Sequence, residues 1–268
     1  MTPASASAAA RPTVLVFAGV DPSGGAGIAA DILAVAAQGA HALPVVTTLT
    51  VQDNDRVYQV LPVAPETLRD QARALIERVR IDAVKIGIPG SAANAAVIAQ
   101  LIVTLRRRDP ALPVVLDPVL ASGLGDALAR GDACVALAPL LALATVLVPN
   151  LPEAAILGGA SGGPTEQARA LREGGCAHVL ITGGHADGET VLNQWFGPGV
   201  RRDWHWPRLT GEFHGSGCTL ASAIAARLAL GEPIATALER AQAYCQRSLA
   251  EAYAIAPGQR IPHRFHAI

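Results

Sequence analysis

The sequence predicts an α/β fold in which a mostly parallel sheet is covered by helices on both faces. Several short runs are apolar throughout, as expected of strands that are buried on both sides. Most of these runs stop at a glycine or a polar residue and lead into a helical pattern, and this order repeats along the chain. The 268 residues, of which 51% are hydrophobic and 16% charged, suffice to bury the core of one large domain.

We expect that single domain to cover residues 13–268. Residues 1–12 are expected to form a disordered tail, because the first residues have neither the basic region nor the apolar centre of a signal peptide. Six apolar runs are predicted to form the mainly parallel strands, over residues 13–19, 45–51, 83–86, 113–118, 144–150 and 177–182. Residues 191–196 and 200–206 flank a Gly-Pro-Gly turn, which predicts a small antiparallel addition at one edge of the sheet.

Helices are predicted between and after these strands. Gly39 is expected to end the first helix, Pro65 to open the second and Ser91 to cap the third. The expected helices cover residues 28–38, 65–80 and 233–254, with others after Ser91, between residues 153 and 177, and after Gly217.

Composition and charge favour small-molecule chemistry. The formal net charge is -1 and the isoelectric point about 6.6, so no basic surface is expected for nucleic acid or for an anionic membrane. No apolar run approaches the ~20 residues that span a bilayer. The four cysteines are widely spaced without a C-x-x-C pair, which disfavours a disulfide scaffold and a zinc ribbon and indicates a cytoplasmic protein.

A glycine-rich stretch, residues 211–217, leads directly into an alanine-rich helix. Gly215 and Gly217 allow positive φ, so backbone N–H groups can converge in front of the helix N-terminus, where anions bind. Cys218 falls in the first turn, where the helix field is expected to lower the pKa of a thiol. A nucleophile or base beside a phosphate site suggests phosphoryl transfer, although Gly-rich turns open many helices. The Gly-Lys-Ser/Thr of a Walker A loop is missing.

Polar residues collect at the carboxyl ends of the predicted strands. The carboxyl ends of parallel strands share one edge of a sheet, so these side chains are expected to meet in one cleft. Glu153 and Asp117 offer the oxygen ligands that Mg²⁺ prefers. The full set comprises Asp21, Gln52, Lys85, Asp117, Asn150, Glu153 and Thr182.

Taken in order, these motifs resemble the hydroxymethylpyrimidine/phosphomethylpyrimidine kinases of thiamine biosynthesis, which belong to the ribokinase-like superfamily. The resemblance implies a three-layer αβα fold, ATP and Mg²⁺ as cofactors, an aminopyrimidine alcohol and its monophosphate as acceptors, and a homodimer. The matching segments are Asp21-Pro22-Ser23-Gly24-Gly25-Ala26-Gly27, Lys85-Ile86-Gly87, Asp117-Pro118-Val119, Pro149-Asn150-Leu151-Pro152-Glu153, Gly183-Gly184-His185 and His214-Gly215-Ser216-Gly217-Cys218-Thr219.

The resemblance also implies roles for individual residues. Cys218 is the general base, and Gly215, Ser216 and Gly217 form the anion hole beside it. Gln52 hydrogen-bonds the aminopyrimidine, whose edge an amide can match. Further substrate contacts are implied at Gly19, Asp31, Ile88 and Asp117, nucleotide contacts at Asn150, Thr182, Gly184 and His214, and magnesium ligands at Glu153 and Asp117.

Two departures from the family pattern leave alternatives open. Thr182 stands where the family usually has a lysine for the ATP phosphates, which keeps open a weakly catalytic pyrimidine-binding paralogue or an arginine from elsewhere in the chain. Ile88 replaces a methionine of the pyrimidine pocket, which keeps open a pyridoxal-type vitamin B6 kinase. Lys85 itself could contact the substrate or pair with Asp82 or Asp117.

Overall fold

A computed structural model of the protein describes residues 10–120, 133–159 and 162–265. Of the tail expected over residues 1–12, residues 1–9 lie outside the described residues. The backbone oxygen of Pro12 already accepts a hydrogen bond of 2.8 Å from the N–H of His41, so the chain is tied to the sheet from Pro12 onward.

The strands form one sheet of nine members in the order β3-β2-β1-β4-β5-β6-β7-β8-β9. The pairs from β2 through β1 and β4 to β7 are parallel, and the pairs β2–β3, β7–β8 and β8–β9 are antiparallel. Their bounds are Thr13–Val20 (β1), His41–Gln52 (β2), Val57–Pro62 (β3), Ala83–Ile86 (β4), Val114–Leu116 (β5), Val146–Leu147 (β6), His178–Ile181 (β7), Thr190–Gly197 (β8) and Val200–Pro207 (β9).

Strand β3 is an antiparallel edge that the sequence analysis did not predict. None of its residues is buried, so it lacks the continuous apolar run by which the central strands are recognised. A short turn connects it to β2. In this turn one carboxylate oxygen of Asp53 accepts hydrogen bonds from the N–H groups of Asp55 (2.7 Å) and Arg56 (2.8 Å). The sheet therefore carries antiparallel additions at both edges.

The helices follow the predicted pattern with shifted ends. Ser91 is confirmed as a cap, since its hydroxyl accepts a hydrogen bond of 3.1 Å from the N–H of Asn94. Two helices rather than one precede β7, and α4 was not predicted. The bounds are Gly27–Ala37 (α1), Pro65–Ile76 (α2), Ala92–Arg108 (α3), Ala133–Leu141 (α4), Leu151–Gly158 (α5), Pro164–Glu173 (α6), Ser216–Ala229 (α7) and Ile234–Ala250 (α8).

Two separate hydrophobic cores lie on the two faces of the sheet. Leu15 and Phe17 of β1 pack with α2, α3, α4, α5 and α6, whereas Val14 and Val16 pack with α1, α7 and α8. This alternation follows from the period of two along a strand. The three-layer αβα architecture is therefore confirmed. No helix in the described part of the chain is long and apolar enough to cross a membrane.

The strand order places a crevice at the carboxyl end of β1. The chain passes from β1 to β2 on one side and later to β4 on the other side, and this reversal separates the loops that follow the strands. Open α/β sheets bind ligands at such a point. The loop after β1, residues 21–27, therefore stands where a ligand is expected.

Candidate active site

A cavity of about 570 Å³ opens at the carboxyl edge of the parallel strands, a volume typical of small-molecule sites. One side is formed by residues 21–27 and 211–218, and we call it the glycine-loop side. The other is formed by Asn150, Arg208 and the loop that follows β7, residues 182–188, and we call it the β7 side. From this loop Thr182, Gly184 and His185 line the cavity. The predicted site residues that line the cavity are Gly19, Gln52, Ile88, Asp117, Asn150, Glu153, Thr182, Gly184, His214, Gly215, Ser216, Gly217 and Cys218.

Gly215 begins helix α7 in the left-handed conformation, with φ of 80° and ψ of 20°. No side chain caps this helix, so the N–H groups of its first turn, which have no partner within the helix, are left for a ligand. A Cβ at Gly215 would lie 2.0 Å from the backbone oxygen of Gly25. Glycine is thus required here by both the backbone angle and the close approach of the two loops.

Arg264, which is 2% exposed, joins the two glycine loops from behind. Its Nη2 donates to the backbone oxygens of Gly25 (2.5 Å) and Gly215 (3.4 Å), and its Nε donates to the Thr219 hydroxyl (2.9 Å). Among the described residues no carboxylate forms an ion pair with this guanidinium. Its positive charge therefore lies behind the N-terminus of α7 without a direct carboxylate partner, and it favours a bound anion there.

Asp21 organises the loop that follows β1. Its carboxylate accepts hydrogen bonds from the N–H groups of Ser23 (2.8 Å) and Ala26 (2.7 Å) and from the Ser23 hydroxyl (2.9 Å), and it lies 2.8 Å from His214 Nε2. Burial alone would raise the pKa of Asp21, but hydrogen bonds with His214, Gln52 and Ser23 outweigh it and lower the pKa to about 2. The expected nucleotide residue His214 therefore has one ring nitrogen committed to Asp21.

Asp31 differs from its expected place in the substrate pocket. It is fully buried, it is not among the residues that line the cavity, and it accepts hydrogen bonds from Lys85 Nζ (2.8 and 2.9 Å) and from the Ser222 hydroxyl (2.7 Å). Lys85 thus pairs with Asp31 rather than with Asp82 or Asp117. The physical reason is that α1 packs against β1 and β2 and β4 is the parallel neighbour of β1. The Asp31 carboxylate therefore meets the Lys85 ammonium inside the protein, where each buried charge offsets the other.

Cys218 lies at the junction of the two loops, with one side open to the cavity. The backbone of Gly27 and the carboxylate of Asp117 both lie close enough to the sulfur to affect its pKa. Burial raises the pKa of the thiol to about 12; Lys85 opposes this rise, and the carboxylates of Asp31 and Asp117 add to it. The direction is opposite to the expectation from the helix field, because desolvation and two neighbouring carboxylates outweigh the helix dipole.

Asp117 and Glu153 form a pair of buried carboxyl groups. Burial raises the pKa of Asp117 to about 6, with Lys85 opposing the rise. Burial, and then the charge of Asp117, raise the pKa of Glu153 to about 7. Asp117 Oδ2 is buried without a hydrogen-bond partner in the described part of the protein. A pair of carboxyl groups with an unsatisfied oxygen is suited to a hard cation such as Mg²⁺.

Glu153 is also fixed by its own helix. Its Oε2 accepts a hydrogen bond of 2.9 Å from the N–H of Asn150, whose side chain accepts one of 2.9 Å from the N–H of Glu153. This capping box satisfies the N-terminus of α5. No cluster of three or more acidic, His or Cys side chains suited to a metal occurs among the described residues. Mg²⁺ is commonly held by one or two carboxylates together with phosphates and waters, and the pair at Asp117 fits that pattern.

On the substrate-facing wall, Gly19 and Ile88 are neighbours. A Cβ at Gly19 would lie 2.8 Å from Thr48 Cγ2 and 3.2 Å from Ile88 Cγ2, so glycine leaves room for the residues on both neighbouring strands. The backbone oxygen of Ile88 accepts a hydrogen bond of 2.6 Å from the Thr47 hydroxyl. This bond fixes the backbone that presents the Ile88 side chain to the cavity.

The β7 side contains residues that the sequence analysis missed. Gly183 N–H donates to the amide of Asn193 (3.0 Å), which donates to Gln242 (2.9 Å), and the indole of Trp206 donates to the same Gln242 oxygen (3.2 Å). Asn193, Trp206, Gln242 and Arg208 all line the cavity. A polar residue on an antiparallel edge strand or on the last helix has no strand-end signal, so only the tertiary structure identifies this group.

Comparison with known proteins agrees with this geometry. The family model of phosphomethylpyrimidine kinase matches residues 21–263. The chain belongs to this family. A hydroxymethylpyrimidine/phosphomethylpyrimidine kinase of Rhizobium meliloti is 38% identical over 261 residues, covering 94% of this chain and 96% of that protein. A thiamine biosynthesis multifunctional protein of Corynebacterium efficiens is 36% identical over 256 residues, 93% of this chain, which spans 34% of the length of that relative.

Solved structures of phosphomethylpyrimidine and pyridoxal kinases share the architecture. The phosphomethylpyrimidine kinase of Clostridium difficile has a TM-score of 0.75 and 30% identity over 88% of this chain and 99% of that one. The pyridoxal kinase of Staphylococcus aureus, solved with AMP-PCP and pyridoxal, has a TM-score of 0.83 and 25% identity over 95% and 94% of the two chains. These likenesses confirm the prediction of a ribokinase-like fold and of a kinase.

Proposed function

We propose that the protein transfers a phosphoryl group from ATP to the hydroxymethyl group of 4-amino-5-hydroxymethyl-2-methylpyrimidine, and then to the resulting monophosphate, in thiamine biosynthesis or salvage. The observation that carries the proposal is the convergence of Gln52, Cys218 and the free N-terminus of α7 on one cavity. The family match and the names of the relatives support this choice of acceptor. The AMP-PCP bound to a structural neighbour supports ATP as the donor.

Gln52 and the backbone of α7 are proposed to bind different groups: Gln52 binds the pyrimidine ring, and α7 binds the phosphoryl group that is transferred. The amide of Gln52 offers both a donor and an acceptor to the edge of an aminopyrimidine, and it lies near enough to Asp21 to help lower the pKa of that carboxyl group. The N–H groups of Ser216, Gly217 and Cys218 point to where negative charge develops on the transferred group. Arg264 adds its charge behind them without touching the cavity.

Glu153 and Asp117 are the residues that would hold Mg²⁺. Magnesium would offset negative charge on the phosphates and on Asp117, which is one of the two carboxylates that raise the pKa of Cys218. Asn150 keeps Glu153 in position through the capping box. The buried Lys85 stays paired with Asp31 and contributes a fixed positive charge near the sulfur.

Cys218 is the proposed general base. Its thiolate accepts the proton of the attacking hydroxyl as the oxygen bonds to phosphorus and the bond to the ADP leaving group breaks. Burial raises the pKa of the thiol, and the neighbouring positive charge of Lys85 and the backbone of Gly27 oppose this rise. Both contacts favour the thiolate once the carboxylate charge is neutralised.

A vitamin B6 kinase is the second candidate. It is supported by the likeness to pyridoxal kinases at 25% identity and by Ile88, whose branched side chain shapes the wall beside Gly19.

We also propose that the domain spans residues 13–268 and that the protein works in the cytoplasm as a homodimer. The four cysteines are all free, which fits a reducing compartment. Light scattering measures the oligomeric state.

The test is ATP consumption with Mg²⁺, measured in parallel on hydroxymethylpyrimidine, its monophosphate and pyridoxal. Turnover of the first two is expected. Turnover of pyridoxal alone would assign the protein to vitamin B6 salvage. No turnover of any of the three, together with tight binding of the pyrimidine, would instead support a binding protein without catalysis.

A further inference from the structure

The cavity contains two residues with a permanent positive charge among those that the structure describes. They are Lys85 and Arg208. Lys85 is fully buried and both oxygens of Asp31 lie within 2.9 Å of its Nζ, so its hydrogen-bonding nitrogen is already engaged by a carboxylate. Thr182, on the β7 side, is neutral. A polyphosphate entering the cavity therefore meets one cation that no carboxylate compensates.

Arg208 directly follows β9 and reaches back to the loop that follows Thr182. Its Nε donates to the backbone oxygen of Gly188 (2.6 Å) and its Nη1 to that of Gly184 (2.8 Å). Its backbone N–H donates to the oxygen of Glu189 (2.9 Å). These bonds hold the guanidinium against residues 183–188 and fix its orientation.

One nitrogen of this guanidinium has no partner. Nη2 of Arg208 is buried and makes no hydrogen bond in the described part of the protein, and no described carboxylate forms an ion pair with Arg208. A buried donor without an acceptor is costly. An anionic oxygen is the acceptor that satisfies both the hydrogen bond and the charge.

We propose that Arg208 binds the phosphates of the nucleotide and supplies the positive charge that Thr182 lacks. The inference rests on the proposed function, because it takes ATP as the ligand of the β7 side. Arg208 reaches the same loop, residues 183–188, from a different strand than Thr182 does. The guanidinium of Arg208, which follows β9, thus takes the place of a lysine at position 182, which follows β7.

The experiment measures binding of AMP-PCP with Mg²⁺ and of adenosine by calorimetry, to the wild type and to Arg208→Gln, Thr182→Lys and the double variant. Arg208→Gln is expected to weaken AMP-PCP by about 10- to 100-fold, as for a charge-assisted hydrogen bond. Adenosine affinity is expected to stay within about twofold, since adenosine has no charge for Arg208 to bind. Arg201→Gln, on β9 and not among the cavity-lining residues, is the matched control and should leave both affinities unchanged.

The double variant separates charge from loop structure. If Arg208 acts through its charge, Thr182→Lys should recover at least tenfold of the lost AMP-PCP affinity in the Arg208→Gln background. Equal loss of AMP-PCP and adenosine without recovery by Thr182→Lys would mean that Arg208 only shapes residues 183–188, and would overturn the inference. Unchanged AMP-PCP affinity in Arg208→Gln would also overturn it. A wild type that binds no AMP-PCP would overturn the proposed function as well.

Discussion

The two sides of the cavity are built in different ways. On the glycine-loop side, buried side chains connect residues that are distant in sequence: Arg264 joins the loops at Gly25 and Gly215, and Asp21 holds His214. On the β7 side, buried Asn193 and Gln242 hold the loop at Gly183 and the guanidinium of Arg208 donates to backbone oxygens of the same loop, while Gly184 and His185 are exposed. A substitution on the glycine-loop side should therefore disturb the whole site, whereas one on the β7 side should act locally.

The largest effect is expected from Cys218→Ala. Loss of a general base lowers turnover by roughly 10²- to 10⁴-fold, and the fold should persist because alanine fits the alanine-rich start of α7. Steady-state kinetics with the accepted pyrimidine measure the change. Cys176→Ala is the matched control, because Cys176 is buried in the core on the other face of the sheet; it should lower stability and spare turnover. Turnover of Cys218→Ala equal to that of the wild type would refute the assignment.

An alanine at Gly215 tests the tight contact between the loops. The left-handed backbone costs a residue with a Cβ about 1–2 kcal/mol, and the 2.0 Å approach to the oxygen of Gly25 adds about 1–3 kcal/mol of overpacking. We expect Gly215→Ala to lower the free energy of unfolding by roughly the sum of these and to lower turnover. Urea unfolding followed by tryptophan fluorescence measures the first effect.

Two further alanine variants distinguish the causes. Gly199→Ala places a Cβ at φ of +67° with open space around it, so it should show the backbone cost alone. Gly184→Ala, on the β7 side, has neither a left-handed φ nor any atom within 4 Å of the added Cβ, and should change the free energy of unfolding by less than about 0.5 kcal/mol. If Gly215→Ala were no more destabilising than Gly199→Ala, the loop contact would not limit stability.

The same comparison shows what the sequence could predict. The central strands and their shared edge could be predicted from apolar runs such as residues 13–19 and 113–118. Strands that are buried on both faces are apolar at nearly every position, and this makes them recognisable in the sequence. The predicted residues at their ends do meet in one cavity. The edge strand β3 was not predicted, because none of its residues is buried and it therefore has no continuous apolar run. Contacts between distant elements were also not predicted: Asp31 pairs with Lys85 across 54 positions, which depends on how α1 packs against β1, the neighbour of β4.

The thiol of Cys218 and the cation on the β7 side illustrate the same limit. The helix field at Cys218 is readable from sequence, but the direction of the pKa shift is set by burial and by two carboxylates from other elements. The sequence shows that Thr182 lacks the positive charge of the usual lysine. It does not show that Arg208, at the end of an antiparallel strand, contacts the same loop. Charge balance in a buried site is a property of packing, and the order of motifs along the chain does not determine it.

The smallest effect concerns the pH dependence of stability that Asp21 confers. Its pKa is lowered from 3.8 to about 2 in the folded protein, so its contribution is complete above about pH 4 and is lost as the pH falls through about 2. At about 1.4 kcal/mol per pKa unit, the contribution is at most about 2.5 kcal/mol. Asp21→Asn should therefore be less stable than the wild type at pH 5, and the difference should shrink by pH 2.5. Asp70→Asn, at an exposed position of α2, is the matched control and should change the free energy of unfolding by less than about 0.5 kcal/mol at either pH. Parallel curves for Asp21→Asn and the wild type would mean that the two glycine loops are held together without this carboxylate, and that Arg264 alone joins them.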